Sequence, residues 1–341
     1  MSTNVTVRPK QLTQLLSACL TAGENVLITG APGVGKTAIT AAACTKVGAE
    51  MLTIYVSVSD PTDLHGIPFV VEGRGEHLPF GALRRIAEAS AEKKRVVVFL
   101  DDFGQGTPAT QAAAMQLLDR YRDDPNVSFV IATNRRADRA GVSGVLEPVK
   151  SRFATIVELQ PVLDDYIEWA LANNVVPEQI AFLRFRPELL HKFEPTADIT
   201  NSPCPRTWAA ASRLLRLGLP PELEYPALSG AVGAGAAGEF VAFLRTFRAL
   251  PDVDSLLADP ESAPVPTDPS ALYAVSAAVA CRTDAKNAEM AFRYAERLAE
   301  AGYGEFGVLL VRDAARRDKK LQEVFVTKFG LGKIAQLIRG D

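Results

Sequence analysis

Positive charge is not in excess in this chain. With 37 Lys and Arg against 40 Asp and Glu, the formal net charge is −3, so no overall basic field draws the protein onto nucleic acid. Local clusters such as "RFRPELLHK" and "RDAARRDKK" are interleaved with acids and read as solvated helix faces. No stretch reaches the ~18–20 uncharged apolar residues of a membrane span. The start "MSTNVTVRPK" lacks the apolar core of a signal peptide. Cysteine is scarce: Cys19, Cys44, Cys204 and Cys281 are the four present, and none has metal-ligand spacing. They read as reduced thiols in a cytoplasmic protein.

What is there is a chain of 341 residues, 48% hydrophobic and 23% charged, a length that suits two domains or one α/β domain with a sizeable appendage. Leu12, Leu15, Leu16, Cys19 and Leu20 fall at helical spacing, which predicts a short amphipathic helix near the start. Five apolar runs then read as strands: "NVLIT" (25–29), "MLTIYV" (51–56), "VVVFL" (96–100), "VSFVIA" (127–132) and "ATIVEL" (154–159). Helices are predicted over 36–47, 82–93 and 107–121, the last with Thr107 as cap and Pro108 in its first turn. Runs too apolar to alternate, separated by helices, imply a parallel sheet covered on both faces.

Beyond Pro161 no convincing strand remains. Helical periodicity takes over in "VLDDYIEWALANN", "PEQIAFLRF" and "PRTWAAASRLLRLG". The expected organisation is an α/β core over 1–160, a helical lid over 161–249, a linker over 250–270 and a helical C-terminal extension over 271–341. The linker is read from the prolines and aspartates of "LPDVDSLLADPESAPVPTDPS".

The strongest motif is "NVLITGAPGVGKTAIT". It spells G-x-x-x-x-G-K-[ST] from Gly30 to Thr37, after a strand and opening a helix, the context that gives this motif its meaning. Gly30, Ala31, Pro32, Gly33, Val34 and Gly35 form a tight loop whose N–H groups face inward at a helix amino terminus, an anion nest. Lys36 reaches the outer phosphates and Thr37 offers its hydroxyl to Mg²⁺. The ligands so implied are ATP and Mg²⁺. A second glycine pattern, Gly233-Ala-Gly235-Ala-Ala-Gly238, follows no strand and reads as close helix packing.

"RVVVFLDDFGQG" carries two acids at the end of a buried strand. Asp101 is the expected Mg²⁺ ligand. Asp102 is either the general base that orients and deprotonates the attacking water or a cap on the turn near Gly104.

The P-loop and the acidic strand end together resemble the AAA+ ATPases, over roughly residues 10–245. Within them, "DPTDLHGIPFVVEGRGEHLPFGALRRI" (60–86) is similar to the segment where the MoxR-like group inserts a β-hairpin. That resemblance places a hairpin at about 67–80, with arms Phe69–Glu72 and Glu76–Phe80 and tip Gly73-Arg74-Gly75. It faces the pore of a ring, or is an ordinary surface hairpin. The fold implied is a P-loop AAA+ core with a five-stranded parallel sheet, a helical lid and a helical extension.

Position 102 is commonly glutamate in that family. Aspartate falls back by about 1.3–1.5 Å, judged from single-bond lengths, and a misplacement near 1 Å costs about 10²-fold in rate. Slow hydrolysis is one expectation, unless the backbone brings Asp102 forward or Gln105 helps.

The resemblance also assigns further roles. Asn134, at the end of "VSFVIATNRR", is the first sensor beside the attacking water, or else a turn-forming residue. "NRRAD" is not a guanine specifier. Arg152, before the fifth strand, is an arginine finger supplied to a neighbouring subunit, or an exposed ion-pairing residue; Lys150 is the weaker cation, lacking the guanidinium fork. Arg206, in the first turn of a helix where the macrodipole disfavours a cation, is the second sensor, or pairs with an acid such as Asp198.

The activity implied is ATP hydrolysis by a ring, expected to be a hexamer because the finger arginine acts in trans, remodelling a protein client, with von Willebrand A domain proteins as a partner class. A slowly hydrolysing assembly switch and a nucleic-acid motor or loader are the alternative readings.

Overall fold

The structure is a computed structural model and describes residues 5–138, 141, 144–196, 198–328 and 334. The end of the expected C-terminal extension lies outside the described residues. The chain divides near residue 162: one unit runs to Val162 and takes in the short stretch from Phe193, and the other comprises Leu163–Lys192 and the chain from Asp198 on.

In the first unit all five expected strands form. They are β2 (Val26–Thr29), β3 (Glu50–Tyr55), β6 (Val96–Asp101), β7 (Val127–Thr133) and β8 (Thr155–Leu159). A sixth strand corrects the expectation of five: β1 (Val5–Val7) pairs in parallel with β8, Val5 opposite Val157 and Val7 opposite Leu159. Three residues are too few to show a period, so only the partner strand makes them β-structure. The sheet order is β1-β8-β2-β7-β6-β3, and every pairing in it is parallel.

The near-continuous apolar runs follow from burial on both faces. Along β6, Val96, Val98 and Leu100 join a cluster with Leu83 and Ile86 of α4 (Gly81–Ala91) and with Ala114 and Leu117 of α5 (Pro108–Arg120). Val97 and Phe99 point the other way, into a cluster with Leu12, Leu16 and Leu20 of α1 (Pro9–Ala22) and Ala43 of α2 (Lys36–Val47). Period two on the strand and three-to-four on the helices thus sort one sequence onto two layers. Each fully buried Leu, Val or Phe contributes about 1.5–3 kcal/mol.

The hairpin lies outside this sheet. After α3 (Pro61–His65), strands β4 (Ile67–Val71) and β5 (Arg74–Leu78) pair antiparallel, Ile67 opposite Leu78 and Val71 opposite Arg74. Its tip is Glu72-Gly73, not the expected Gly73–Gly75. Both tip residues have positive φ, 51° and 79°, as the two-residue turn that matches strand twist requires. The expected arms shift accordingly. Phe69 and Val70 are 60% and 68% exposed.

In the second unit the described residues contain helices and no strand. α7 (Leu163–Ala172), α8 (Pro177–Phe185), α9 (Pro205–Leu215), α10 (Pro221–Val232) and α11 (Ala234–Arg248) surround Phe182, Trp208 and Phe240. Trp208 also donates its indole N–H to the Leu189 carbonyl at 2.7 Å. The stretch 250–270 is more than a linker, because it contains α12 (Val253–Ala258), whose Leu256 and Leu257 are buried. They pack in a second cluster with α14 (Ala288–Glu300), α15 (Gly304–Arg317) and Phe325 of α16 (Lys319–Lys328).

α13 (Pro269–Arg282) serves both clusters: Ala274 and Ala277 face the first, and Leu272, Val275 and Val279 the second. A helix buried nearly all round joins what the sequence suggested were separate lid and extension. The Gly233 pattern is a helix boundary. Gly233 has φ 81°, and a Cβ there would lie 2.7 Å from the Asn201 carbonyl oxygen. No described helix is long and apolar enough to cross a membrane.

Candidate nucleotide site

The strands that carry motif residues, β2, β6 and β7, are neighbours. Their carboxyl ends therefore open on one crevice, where ligands of open α/β sheets bind. Gly30 follows β2 and donates its N–H to the Thr133 carbonyl at 3.2 Å. A Cβ at Gly30 would lie 2.9 Å from the Leu159 carbonyl oxygen, so only glycine fits there. Gly33 and Gly35 hold φ of 75° and 105°, where an L side chain is strained. Gly35 is also the N-cap of α2 and offers no side-chain cap, and the first turn of α2 has no acid. Its opening N–H groups are left to a ligand, and with the macrodipole they suit an anion.

Lys36 folds back over this loop. Its buried ammonium donates to the carbonyls of Gly30 (2.8 Å) and Ala31 (3.0 Å) and to Asn134 Oδ1 (2.8 Å). Thr37 Oγ1 donates to Asp101 Oδ2 at 3.1 Å, and Asp101 Oδ1 accepts the Asp102 N–H at 3.0 Å. A hydroxyl and a carboxylate side by side at the mouth of an anion nest are the donor set for a hard cation that keeps waters and phosphate oxygens as its other ligands. Among the described residues no three His, Cys, Asp or Glu side chains gather as a metal cage.

Asp102 stands in the left-handed region, φ 51° and ψ 35°, and its side chain makes no capping bond to the 3₁₀ turn at Phe103–Gln105. That turn closes through its backbone, Gln105 N–H to the Asp102 carbonyl at 3.0 Å. The Asp102 carboxylate instead accepts from Asn134 Nδ2 at 3.3 Å. Asp and Asn enter this backbone region more readily than other side-chain-bearing residues, which gives the aspartate at this position a conformational reason.

Asn134 is buried, and its amide is oriented by two unlike neighbours, an ammonium at the oxygen and a carboxylate at the nitrogen. The turn that follows is made by Asp138, which accepts the Arg135 N–H at 3.2 Å.

Arg135 has no role in the sequence motifs above. Its guanidinium pairs with Asp138 (2.8 Å) and Glu158 (3.1 Å), both buried, and so anchors the loop next to Asn134. The Arg–x–x–Asp spacing of "RRAD" carried that signal; the β8 partner did not show until the strands were neighbours.

Arg152 is tied elsewhere. It grips Asp119 of α5 through two bonds, Nε to Oδ1 at 2.9 Å and Nη2 to Oδ2 at 2.6 Å. The Arg152 hydrogen bonds hold the Asp119 carboxyl below its ordinary range. Lys150 pairs with Glu147 one turn back. Arg206, in the second unit, is exposed near the start of α9 and forms no ion pair with Asp198. The structure thus gathers Lys36, Thr37, Asp101, Asp102 and Asn134, and leaves Arg152 outside that network.

A P-loop entering a helix, an acidic strand end and a polar residue on the strand between them define a P-loop nucleotide-binding domain of the α/β class. Residues 26–161 match the model of the ATPase family associated with various cellular activities (AAA). The first unit of this chain is an AAA+ domain.

The sliding-clamp-loader large subunit of Enterobacteria phage T4 is 29% identical over 144 residues, 42% of this chain. The chain spans 38% of the length of that relative. Among solved structures, RuvB of Thermotoga maritima matches over 86% of this chain and 87% of its own, at 16% identity and a TM-score of 0.39. PCH-2 of C. elegans matches over 69% and 67%, at 15% identity and a TM-score of 0.39.

Proposed function

We propose that this protein hydrolyses Mg·ATP as a MoxR-like AAA+ ATPase, assembling into a ring, a hexamer, and remodelling a protein client. The observation that carries the proposal is the network Thr37–Asp101 and Lys36–Asn134–Asp102 at one crevice. Gly30 to Gly35 cradle the phosphates, Lys36 leaves the Gly30 and Ala31 carbonyls for the outer phosphates, and Thr37 with Asp101 holds Mg²⁺. The ion supplies charge neutralisation at the phosphate oxygens. Asp102 takes the proton of a water that Asn134 orients, a general-base step worth about 10²–10⁴-fold.

Arg152 acts in trans on a neighbouring subunit after giving up Asp119, and Arg206 is the second cation offered to the phosphates. The 67–78 hairpin, exposed on both strands, touches the client. A von Willebrand A domain protein is the partner class that the resemblance supplies, and the cytoplasm the compartment.

The deciding experiment is steady-state phosphate release from Mg·ATP over a range of protein concentrations, with Asp102→Asn alongside. Specific activity that climbs with concentration, and is lost in the variant, supports hydrolysis completed between subunits. Equal, slow release from both proteins, with ATP still bound, leaves Asp102 structural and favours an assembly switch. The feature on that side is that Asp102 carries one methylene fewer than the glutamate common at this position in the resembling family.

A nucleic-acid motor or loader is favoured by one finding, the match to a clamp-loader subunit. The net charge of −3 speaks against it. Salt-sensitive DNA binding with a steep slope would move the proposal there.

A further inference from the structure

Gln111, on the first turn of α5, is buried to 1% exposure and plays no part in the network above. Its amide is fully used. Nε2 donates to the Gly106 carbonyl at 3.2 Å and to the Gly144 carbonyl at 2.9 Å, while Oε1 accepts the Leu146 N–H at 3.1 Å. Only this orientation pairs all three backbone groups, because two carbonyls need donors and an N–H needs an acceptor.

The groups it joins belong to two separate loops. Gly106 ends the 3₁₀ turn that begins at Asp102. It is held tightly, since a Cβ there would lie 2.6 Å from Val56 Cγ1. Gly144, at φ 114°, and Leu146 lie in the segment that enters α6 (Glu147–Lys150) and leads to Arg152. Leu146 is the N-cap of α6 and supplies no side-chain cap of its own. The two loops also touch through Gly144 N–H to the Gly104 carbonyl at 3.4 Å. Eight residues further along α5, about 12 Å at the helical rise, Asp119 grips Arg152. One helix therefore holds the acid loop at its start and the arginine near its end.

We propose that Gln111 is a positioning residue that couples the loop carrying Asp102 to the segment carrying Arg152, so that occupation of the phosphate site is felt where a neighbouring subunit would meet this one. The inference rests on the ATP-hydrolysing reading. A residue that merely filled space here could be apolar. Gln111 instead bridges two irregular segments, pairing two carbonyls and an N–H that an apolar side chain could not pair.

The test uses the full chain and Gln111→Met, which keeps volume and removes every hydrogen bond. Amide exchange at Leu146 is followed with and without Mg·ATP, and Mg·ATP binding, KM and kcat are measured on both proteins. The expected result is that Mg·ATP changes Leu146 exchange in the wild type and not in the variant. The variant should bind Mg·ATP as the wild type does, with KM held and kcat down about 10²-fold, the cost of a misplacement near 1 Å.

Leu146 exchange that ignores Mg·ATP in the wild type overturns the coupling without any variant, so a Gln111→Met protein that fails to fold does not shield it. An equal response in both proteins, or unchanged kcat, also overturns it. Failure of the wild type to bind Mg·ATP sinks the ATPase reading and this inference together, whereas binding without the exchange response sinks this inference alone.

Discussion

The ammonium of Lys36 donates to Asn134 Oδ1 at 2.8 Å, and the other end of the same amide donates to Asp102 at 3.3 Å. The cation proposed for the phosphates and the carboxylate proposed for the water are thus read by one buried side chain. Any phosphate that draws Lys36 away frees the amide oxygen, and the strength of Asn134's hold on Asp102 changes with it.

Lys36→Ala should weaken Mg·ATP binding about ten- to a hundredfold, the equivalent of one hydrogen bond to a charged group. Titration calorimetry reads it directly. Asn134→Ala should bind nearly normally and lose turnover, and the reverse pattern would remove Asn134 from the water-positioning role.

Asp102 is held at φ 51°, and two variants separate its backbone from its chemistry. Asp102→Asn tolerates the left-handed conformation and should keep stability and ATP affinity while losing phosphate release. Asp102→Glu regains reach but meets a left-handed penalty of roughly 1–2 kcal/mol. It should lower the thermal midpoint and raise turnover. A Glu variant that is slower than the wild type would show that reach is not what limits the base.

Arg152 is expected to matter for turnover far more than for folding. Its pair with Asp119 is partly exposed, and such pairs are worth about 0–1 kcal/mol. Arg152→Ala should therefore shift the urea midpoint little and cut phosphate release by about 10³–10⁵, the range for a trans arginine. Because the Arg152 hydrogen bonds depress the Asp119 carboxyl, the pair's contribution is complete above the ordinary carboxylate range, near pH 4. It is lost as pH falls through the lowered value. Asp119→Asn should flatten that acid limb of a stability–pH curve and leave neutral pH nearly unchanged.

Arg184 and Asp313 form a buried two-pronged pair between α8 and α15, with side chains 9% and 2% exposed. Asp313→Ala strands the guanidinium and should cost about 3–5 kcal/mol in a urea melt, whereas Arg184→Met with Asp313→Leu should cost much less. Equal losses from the two would mean that the charges themselves stabilise this unit.

The hairpin should be dispensable for folding. Phe69 and Val70 are mostly exposed, so Phe69→Ser with Val70→Ser should leave the thermal midpoint and basal phosphate release unchanged. Gly66→Ala should not be silent. At φ 100°, with the Leu78 carbonyl oxygen 2.6 Å from the added Cβ, it forces β4 away from β5, which amide exchange along Ile67–Val71 would register.

The strand and helix periods of the first unit were legible because neighbouring residues state them. "VVVFL" can be buried on both faces only, and Gly30 to Thr37 carry their chemistry in consecutive positions. Asp101, Asp102 and Asn134 were legible as strand ends for the same local reason.

What the sequence could not state was pairing at a distance. β1 is a strand only because β8 lies beside it, and the tip moved to Glu72-Gly73 because cross-strand register selects the turn. Leu256 and Leu257 turn a proline-rich stretch into part of a core because α14 is there to cover them. Arg152 meets Asp119 across 33 residues and Gln111 meets Gly144 across the same separation. Periodicity reports which face a residue takes, a property of a few bonds in the chain. The partner on that face is chosen by packing among segments far apart in sequence, and only the folded chain decides it.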